Sequence, residues 1–81
     1  MKLPRDLSGR DLVLALGLLG YKVTRQSGSH LRLTTDKHGE HHITIPNHEP
    51  LRIGTLAAIL NDVASHHEFS RDELLITLFG E

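Results

Sequence analysis

Apolar residues recur every three or four positions near both ends of the chain, and they alternate with polar residues in the stretch between. The first spacing is typical of an amphipathic helix and the second of a half-buried strand. The pattern predicts a helix over residues 9–19, three strands over residues 21–25, 30–34 and 41–45, a helix beginning at Gly54, and a short helix after Ser70.

Capping residues mark the ends of these helices. Ser8 is followed three positions later by Asp11, an acidic relative of the capping box, and Ser70 is followed by Glu73 in a regular capping box. Gly20 supplies the left-handed residue that commonly ends a helix. These signals place the start of the first and last helices and the end of the first.

Turn-forming residues separate the strands at 26–29 and 36–39, and Pro46 ends the third strand because it lacks a backbone donor. Each helix has one apolar stripe and each strand one apolar face, so the helices are expected together on one side of the sheet. The predicted fold class is α+β, with an α-β-β-β-α layout, a three-stranded antiparallel sheet and a short extra C-terminal helix. This is the layout of the double-stranded-RNA-binding domain.

Length and composition set limits on the class of protein. Residues 1–81 suffice for one domain and are too few for two. The sequence contains no cysteine, so neither a disulfide nor a thiolate zinc site holds the fold. The apolar run 12–19 is far shorter than the ~20 residues that span a bilayer, and no signal-peptide pattern occurs. We expect a cytoplasmic protein that does not cross a membrane.

The net charge of −1 conceals an uneven distribution of charge. Residues 1–32 contain six lysines and arginines against two aspartates, whereas residues 61–81 contain one arginine against five acidic residues. Such an asymmetry permits a phosphate-binding surface in the first half of the chain.

Seven histidines occur in the chain, and most are expected to be structural. His66 and His67 precede the last helix and His38 lies in a turn, positions at which a histidine needs no catalytic explanation. His41 and His42 are neighbours on a strand and must point to opposite faces, so they cannot easily share a metal ion. We therefore expect no metal site.

His30 differs because it follows a glycine-containing turn on the polar face of a strand. Arg32 lies two residues further on, and Arg25 lies across the predicted hairpin. RNA is cleaved without a metal when a base removes the proton of a ribose 2′-hydroxyl and cations stabilise the charge that builds on the phosphate. Taken alone, however, an exposed strand histidine is more often a surface residue than a catalyst.

Several segments, in order and at matching spacing, resemble the HicA (YcfA-like) toxin family over roughly residues 8–60. They are residues 19–21 (Leu-Gly-Tyr), 25–30 (Arg-Gln-Ser-Gly-Ser-His), 43–48 (Ile-Thr-Ile-Pro-Asn-His), 54–56 (Gly-Thr-Leu) and 59–60 (Ile-Leu). The resemblance implies a toxin of a type II toxin–antitoxin system, an endoribonuclease that cleaves messenger RNA without a cofactor. It also implies a HicB-like antitoxin as a partner, covering the His30 face.

In this resemblance His30 is the catalytic histidine, and Gly28 allows the turn that presents it. Ser29 either binds the phosphate or has a structural role, and His48 either assists the chemistry or bonds the backbone of its loop. Thr55, with Gly54, offers amides to a phosphate or serves as an ordinary helix cap.

Two other functions remain open at this point, a non-catalytic RNA-binding module of the same fold and a protein-interaction domain. Arg25, His30 and Arg32 on one face favour the RNA-directed functions, with both arginines as RNA-binding residues.

Overall fold

The computed structural model describes residues 3–80 and shows six regular elements and one short 3₁₀ turn. In chain order they are α1 (Gly9–Leu16), the 3₁₀ turn (Gly17–Leu19), β1 (Lys22–Ser27), β2 (His30–Thr35), β3 (His41–Pro46), α2 (Ile53–His67) and α3 (Arg71–Phe79). The predicted α+β fold with its α-β-β-β-α layout and extra C-terminal helix is confirmed.

Both predicted capping boxes are present. Ser8 Oγ accepts the Asp11 amide at 3.0 Å, and the Ser8 amide donates to Asp11 Oδ2 at 3.2 Å, so the shorter aspartate closes the box as well as glutamate does. Ser70 and Glu73 form the same pair at the start of α3. Gly20 has a φ of +83°, the left-handed conformation expected after the first helix.

The three strands form one antiparallel sheet in the order β1-β2-β3. Within β1 the pairing with β2 shifts between Val23 and Arg25, which is the signature of a β-bulge at Thr24. Val23 therefore pairs with Leu33, whereas Arg25 pairs with Arg32. The predicted turn at 26–29 was too wide, because Gln26 and Ser27 still belong to β1.

The core lies between the helices and one face of the sheet. Leucines and isoleucines from β2 and β3 meet the apolar stripes of all three helices, and the fully or almost fully buried side chains include Leu12, Leu16, Leu33, Ile45, Leu56, Leu60, Val63, Leu74 and Leu75. The opposite side of the sheet, which we call the open face, consists of exposed or half-buried polar side chains. It carries Lys22, Thr24, Arg25, Ser27, His30, Arg32, Thr34, His42 and Thr44.

Within residues 3–80, no helix combines the length and the apolar character required to cross a membrane.

Candidate functional site

A two-residue hairpin turn presents His30. Ser27, the last residue of β1, pairs with His30, the first residue of β2, so only Gly28 and Ser29 connect the strands. Gly28 has a φ of +58° at the first central position, where a type II′ turn places glycine. A Cβ added there would meet nothing within 4 Å, so the backbone conformation rather than space requires the glycine.

His30 lies on the central strand of the sheet, between Ser27 of β1 and Pro46 of β3. Its side chain is exposed on the open face. Among the residues that the structure describes, none forms a hydrogen bond with the His30 ring. The imidazole nitrogens are therefore available to a ligand.

Two arginines flank His30 on the same face. Arg25 and Arg32 are paired across β1 and β2, and Arg32 pairs with Thr44 on β3. Neither guanidinium forms an ion pair with any residue in the range 3–80. Two adjacent, unneutralised cations beside an imidazole make this part of the open face attractive to a phosphate.

The loop after β3 is fastened beside the hairpin turn. The Asn47 amide donates to the Ser29 carbonyl at 2.6 Å, and the Gly9 amide donates to the His48 carbonyl at 2.9 Å. A Cβ on Gly9 would overlap the Pro46 carbonyl oxygen, so this close approach of α1 to the loop requires glycine. The exposed side chains of Ser29 and His48 thus lie on backbone segments joined at the end of the sheet where His30 begins β2.

Thr55 is positioned differently from the other predicted residues. It lies in the first turn of α2, in the helix layer, whereas the open face with His30 points away from that layer. The interpretation of Gly54 and Thr55 as an ordinary helix cap was wrong, because Arg52 is the N-cap residue and contributes no side-chain cap. The structure does not bring Thr55 together with Arg25, His30 and Arg32.

A chain of hydrogen bonds crosses the far end of the open face, and sequence reasoning missed it. Glu40 Oε2 and His42 Nε2 are 2.6 Å apart, His42 Nδ1 and Thr34 Oγ1 are 2.8 Å apart, and Thr34 Oγ1 and Thr24 Oγ1 are 2.9 Å apart. Since a carboxylate only accepts, His42 donates to Glu40 from Nε2, and its other nitrogen, when neutral, accepts from Thr34. In the sequence, this network was indicated only by the expectation that His41 and His42 point to opposite faces of the sheet.

A second network lies under the helices, around the buried Tyr21. The Tyr21 hydroxyl is 2.6 Å from His41 Nδ1 and 3.1 Å from His67 Nε2, and His41 Nε2 is 3.1 Å from Asp62 Oδ1. With His41 neutral, Nε2 donates to Asp62, Nδ1 accepts the Tyr21 proton, and the phenolic oxygen accepts from His67. Burial, with a smaller contribution from the Asp62 charge, raises the pKa of Tyr21 to about 12.

Three further contacts complete what we call the histidine cluster, which consists of His38, His41, His66 and His67. The rings of His41 and His66 stack with their centroids 4.2 Å apart. The ring of His67 makes edge-to-face contacts with the rings of His66 and His38, at centroid distances of 4.8 and 5.5 Å. Burial lowers the pKa of His67, and its histidine neighbours and Lys37 lower it further. Within residues 3–80, no three histidine or acidic side chains are arranged to hold a metal ion.

Within residues 3–80, the fold and this site define a small α+β protein with a basic open face on which His30, without a hydrogen-bond partner, lies beside two arginines. The family described as HicA toxin of bacterial toxin–antitoxin matches residues 9–64, which include α1, the whole sheet and most of α2. The chain therefore belongs to the HicA toxin family, as the sequence motifs indicated. No curated protein and no solved structure gives a significant match.

Proposed function

We propose that this toxin is an endoribonuclease that cleaves messenger RNA, with His30 as the catalytic residue. The observation that carries the proposal is the position of His30, exposed and unpartnered within residues 3–80, on the same face as the Arg25 and Arg32 pair. Membership of a toxin family supplies the setting, since cleavage of messenger RNA is one way in which a small protein stops growth.

In the proposed reaction neutral His30 accepts the proton of a ribose 2′-hydroxyl. The 2′-oxygen then bonds to the adjacent phosphorus, and the bond from phosphorus to the 5′-oxygen of the next nucleotide breaks. The departing oxygen takes a proton from solvent water and protonated His30 returns its proton to solvent, so the products are a 2′,3′-cyclic phosphate and a 5′-hydroxyl. Arg25 and Arg32 stabilise the negative charge that accumulates on the phosphate oxygens.

Ser29 and His48 lie beside this position, and we propose that they contact the RNA near the cleaved bond. The reaction as written uses side chains of the chain and solvent water, and it needs no cofactor or metal ion. We propose further that the antitoxin partner is a HicB-like protein that covers the face carrying His30. An acidic surface on that partner would neutralise Arg25 and Arg32 while blocking access of RNA.

The decisive experiment incubates purified protein and the His30→Ala variant with a long messenger RNA in the presence of EDTA. We expect the wild-type protein to cleave under these conditions, because the proposed reaction needs no metal ion. The variant is expected to lose about 10²–10⁴-fold in rate, the range typical of a general base.

Three outcomes would contradict the proposal. Cleavage by His30→Ala at the wild-type rate would remove this residue from the mechanism. Activity restored to the chelated protein only by Mg²⁺ or Zn²⁺ would exclude the metal-free reaction. RNA binding without any cleavage would leave a non-catalytic RNA-binding protein.

A further inference from the structure

A polar cleft lies at the end of the open face away from His30. Its volume is about 420 Å³, and it is formed where the start of β1, the end of β2 and the turn after β2 come together. Its lining residues are Gly20, Lys22, Thr24, Thr34, Thr35, Asp36 and Lys37. Two of these residues are lysines, whose ammonium groups bind phosphate. The three threonine hydroxyls already bond one another, His42 or the Leu19 carbonyl.

The backbone of Lys37 is fixed by hydrogen bonds at the edge of this cleft. Its amide donates to Thr35 Oγ1 at 3.2 Å, and its carbonyl lies 3.0 Å from His66 Nε2. A Cβ on Gly20 would lie 3.3 Å from the Lys37 side chain and 2.9 Å from Thr35 Oγ1. The absent side chain of Gly20 therefore leaves room for the aliphatic part of Lys37 against the backbone.

Lys22 supplies the second cation from the strand side. It pairs with Thr34 across β1 and β2, so it stands on the open face in line with Arg25 and Arg32. The acidic residue in the lining is Asp36, which offsets part of the charge. Two lysines against one aspartate still leave the cleft cationic.

The cleft is too far from His30 to hold the phosphate that is cleaved. Thr34 follows His30 by four residues on β2, a separation of about 13 Å at roughly 3.3 Å per residue. Arg25 and Arg32 occupy the interval on the same face. The basic residues therefore form a track from His30 to Lys37 along which a nucleic-acid strand meets one cation after another.

We propose that the cleft between Lys22 and Lys37 binds a second phosphate of the RNA strand that is cleaved at His30. This assignment rests on the proposed function and extends it, because the toxin would then bind several nucleotides of the RNA and not only the cleaved bond. A substrate with a single phosphodiester bond reaches His30 without occupying the cleft, whereas a longer strand occupies both.

The test measures binding of a fluorescent decamer RNA, made uncleavable by 2′-O-methylation, to the wild-type protein and to the Lys22→Met/Lys37→Met double variant. Methionine keeps the aliphatic stem and removes the charge. We expect binding about tenfold or more weaker at low salt, and a log–log salt dependence shallower by about 0.7 for each lysine removed. Asp36→Asn, which removes the opposing charge, is expected to bind a few-fold more tightly.

Arg71→Met is the matched control, since Arg71 lies at the start of α3 in the helix layer and bonds Asn61. It removes one positive charge and should leave decamer affinity within twofold. Cleavage of an unmodified dinucleotide and decamer, compared by kcat/KM, gives a second readout: the double variant should lose activity on the decamer alone.

Equal affinity of wild type and double variant for the decamer would overturn the second phosphate site while leaving cleavage at His30 intact. An equal loss for Arg71→Met would show a general charge effect and would also overturn it. A double variant that loses binding of a nucleoside 5′-monophosphate but keeps decamer affinity would assign the cleft to free nucleotides instead. A wild-type protein that neither binds nor cleaves RNA would refute the proposed function together with this inference.

Discussion

The two faces of the sheet place histidine in different surroundings, and the neighbours His41 and His42 lie one on each face. His41 points towards the helices, where it is half-buried against Tyr21 and Asp62, while His42 is exposed on the open face beside Thr34 and Glu40. In the histidine cluster each ring contacts other rings and serves packing. His30, on the open face, has no hydrogen-bond partner within residues 3–80. We therefore expect the catalytic role at His30, whose ring has no hydrogen-bond partner within residues 3–80, rather than in the packed histidine cluster.

Replacement of a buried histidine should have the largest effect on stability. His67 is 4% exposed and bonds Tyr21, so His67→Ala leaves a cavity and an incompletely paired hydroxyl. We expect the free energy of unfolding to fall by about 2–4 kcal/mol. Urea denaturation with His30→Ala as the matched control measures this, because that exposed residue should change stability by no more than about 0.5 kcal/mol. Similar losses in the two variants would contradict the division between the faces.

Removal of the Tyr21 hydroxyl should have the next largest effect. Tyr21→Phe keeps the ring in the core but deprives His41 and His67 of a shared partner. A loss of about 1–2 kcal/mol in unfolding free energy is expected, with no change in the rate of RNA cleavage by the folded protein. If cleavage by folded Tyr21→Phe disappeared, the hydroxyl network would belong to the mechanism rather than to the fold.

Acidification should weaken the fold through the histidine cluster. The pKa of His67 is lower in the folded chain than the ordinary imidazole value, so the unfolded chain binds more protons once the pH falls through about 6.5. Stability from this residue is therefore present above that pH and is lost below it, with a slope of no more than about 1.4 kcal/mol per pH unit. Denaturation midpoints between pH 8 and 5 measure the slope, and His67→Gln should show a smaller one. An identical slope in His67→Gln would place the responsible group elsewhere.

The smallest effect on the fold should come from the arginines of the open face. Arg25→Ala and Arg32→Ala are exposed changes expected to leave stability within about 0.5 kcal/mol. Each should weaken RNA binding and reduce its log–log salt slope by about 0.7. Titration of RNA at several salt concentrations tests this. Affinity that is indifferent to both substitutions and to salt would move the RNA surface off the open face.

Much of the fold was predictable because local chemistry and periodicity agree. The capping boxes at Ser8 and Ser70 and the left-handed Gly20 place helix ends within a residue or two. The alternation along β2 and β3 correctly separated the buried Leu33 and Ile45 from the exposed side of the sheet. These features depend on neighbours in the chain, which a sequence displays directly.

The placement of Arg25 beside Arg32 could not be derived from the alternation alone. A regular strand from Tyr21 onwards would put Tyr21, Val23 and Arg25 on one face, which would turn Arg25 towards the helices. The bulge at Thr24 inserts one extra residue and returns Arg25 to the open face. The position of a bulge depends on how β1 pairs with β2, and no local residue pattern in β1 indicated a bulge at Thr24.

The sequence by itself determined the element order, the buried faces and the HicA family, because these follow from periodicity and contiguous motifs. It also singled out His30 as the candidate catalytic residue, which stays a prediction. Only the tertiary structure decided which distant residues meet. It joined Tyr21 to His67 and assembled Lys22, Thr34 and Lys37 into one cleft, while it kept Thr55 in the helix layer. The physical reason is that these contacts depend on strand register and on the packing of helices across the sheet, which are settled by the whole core and not by any one segment.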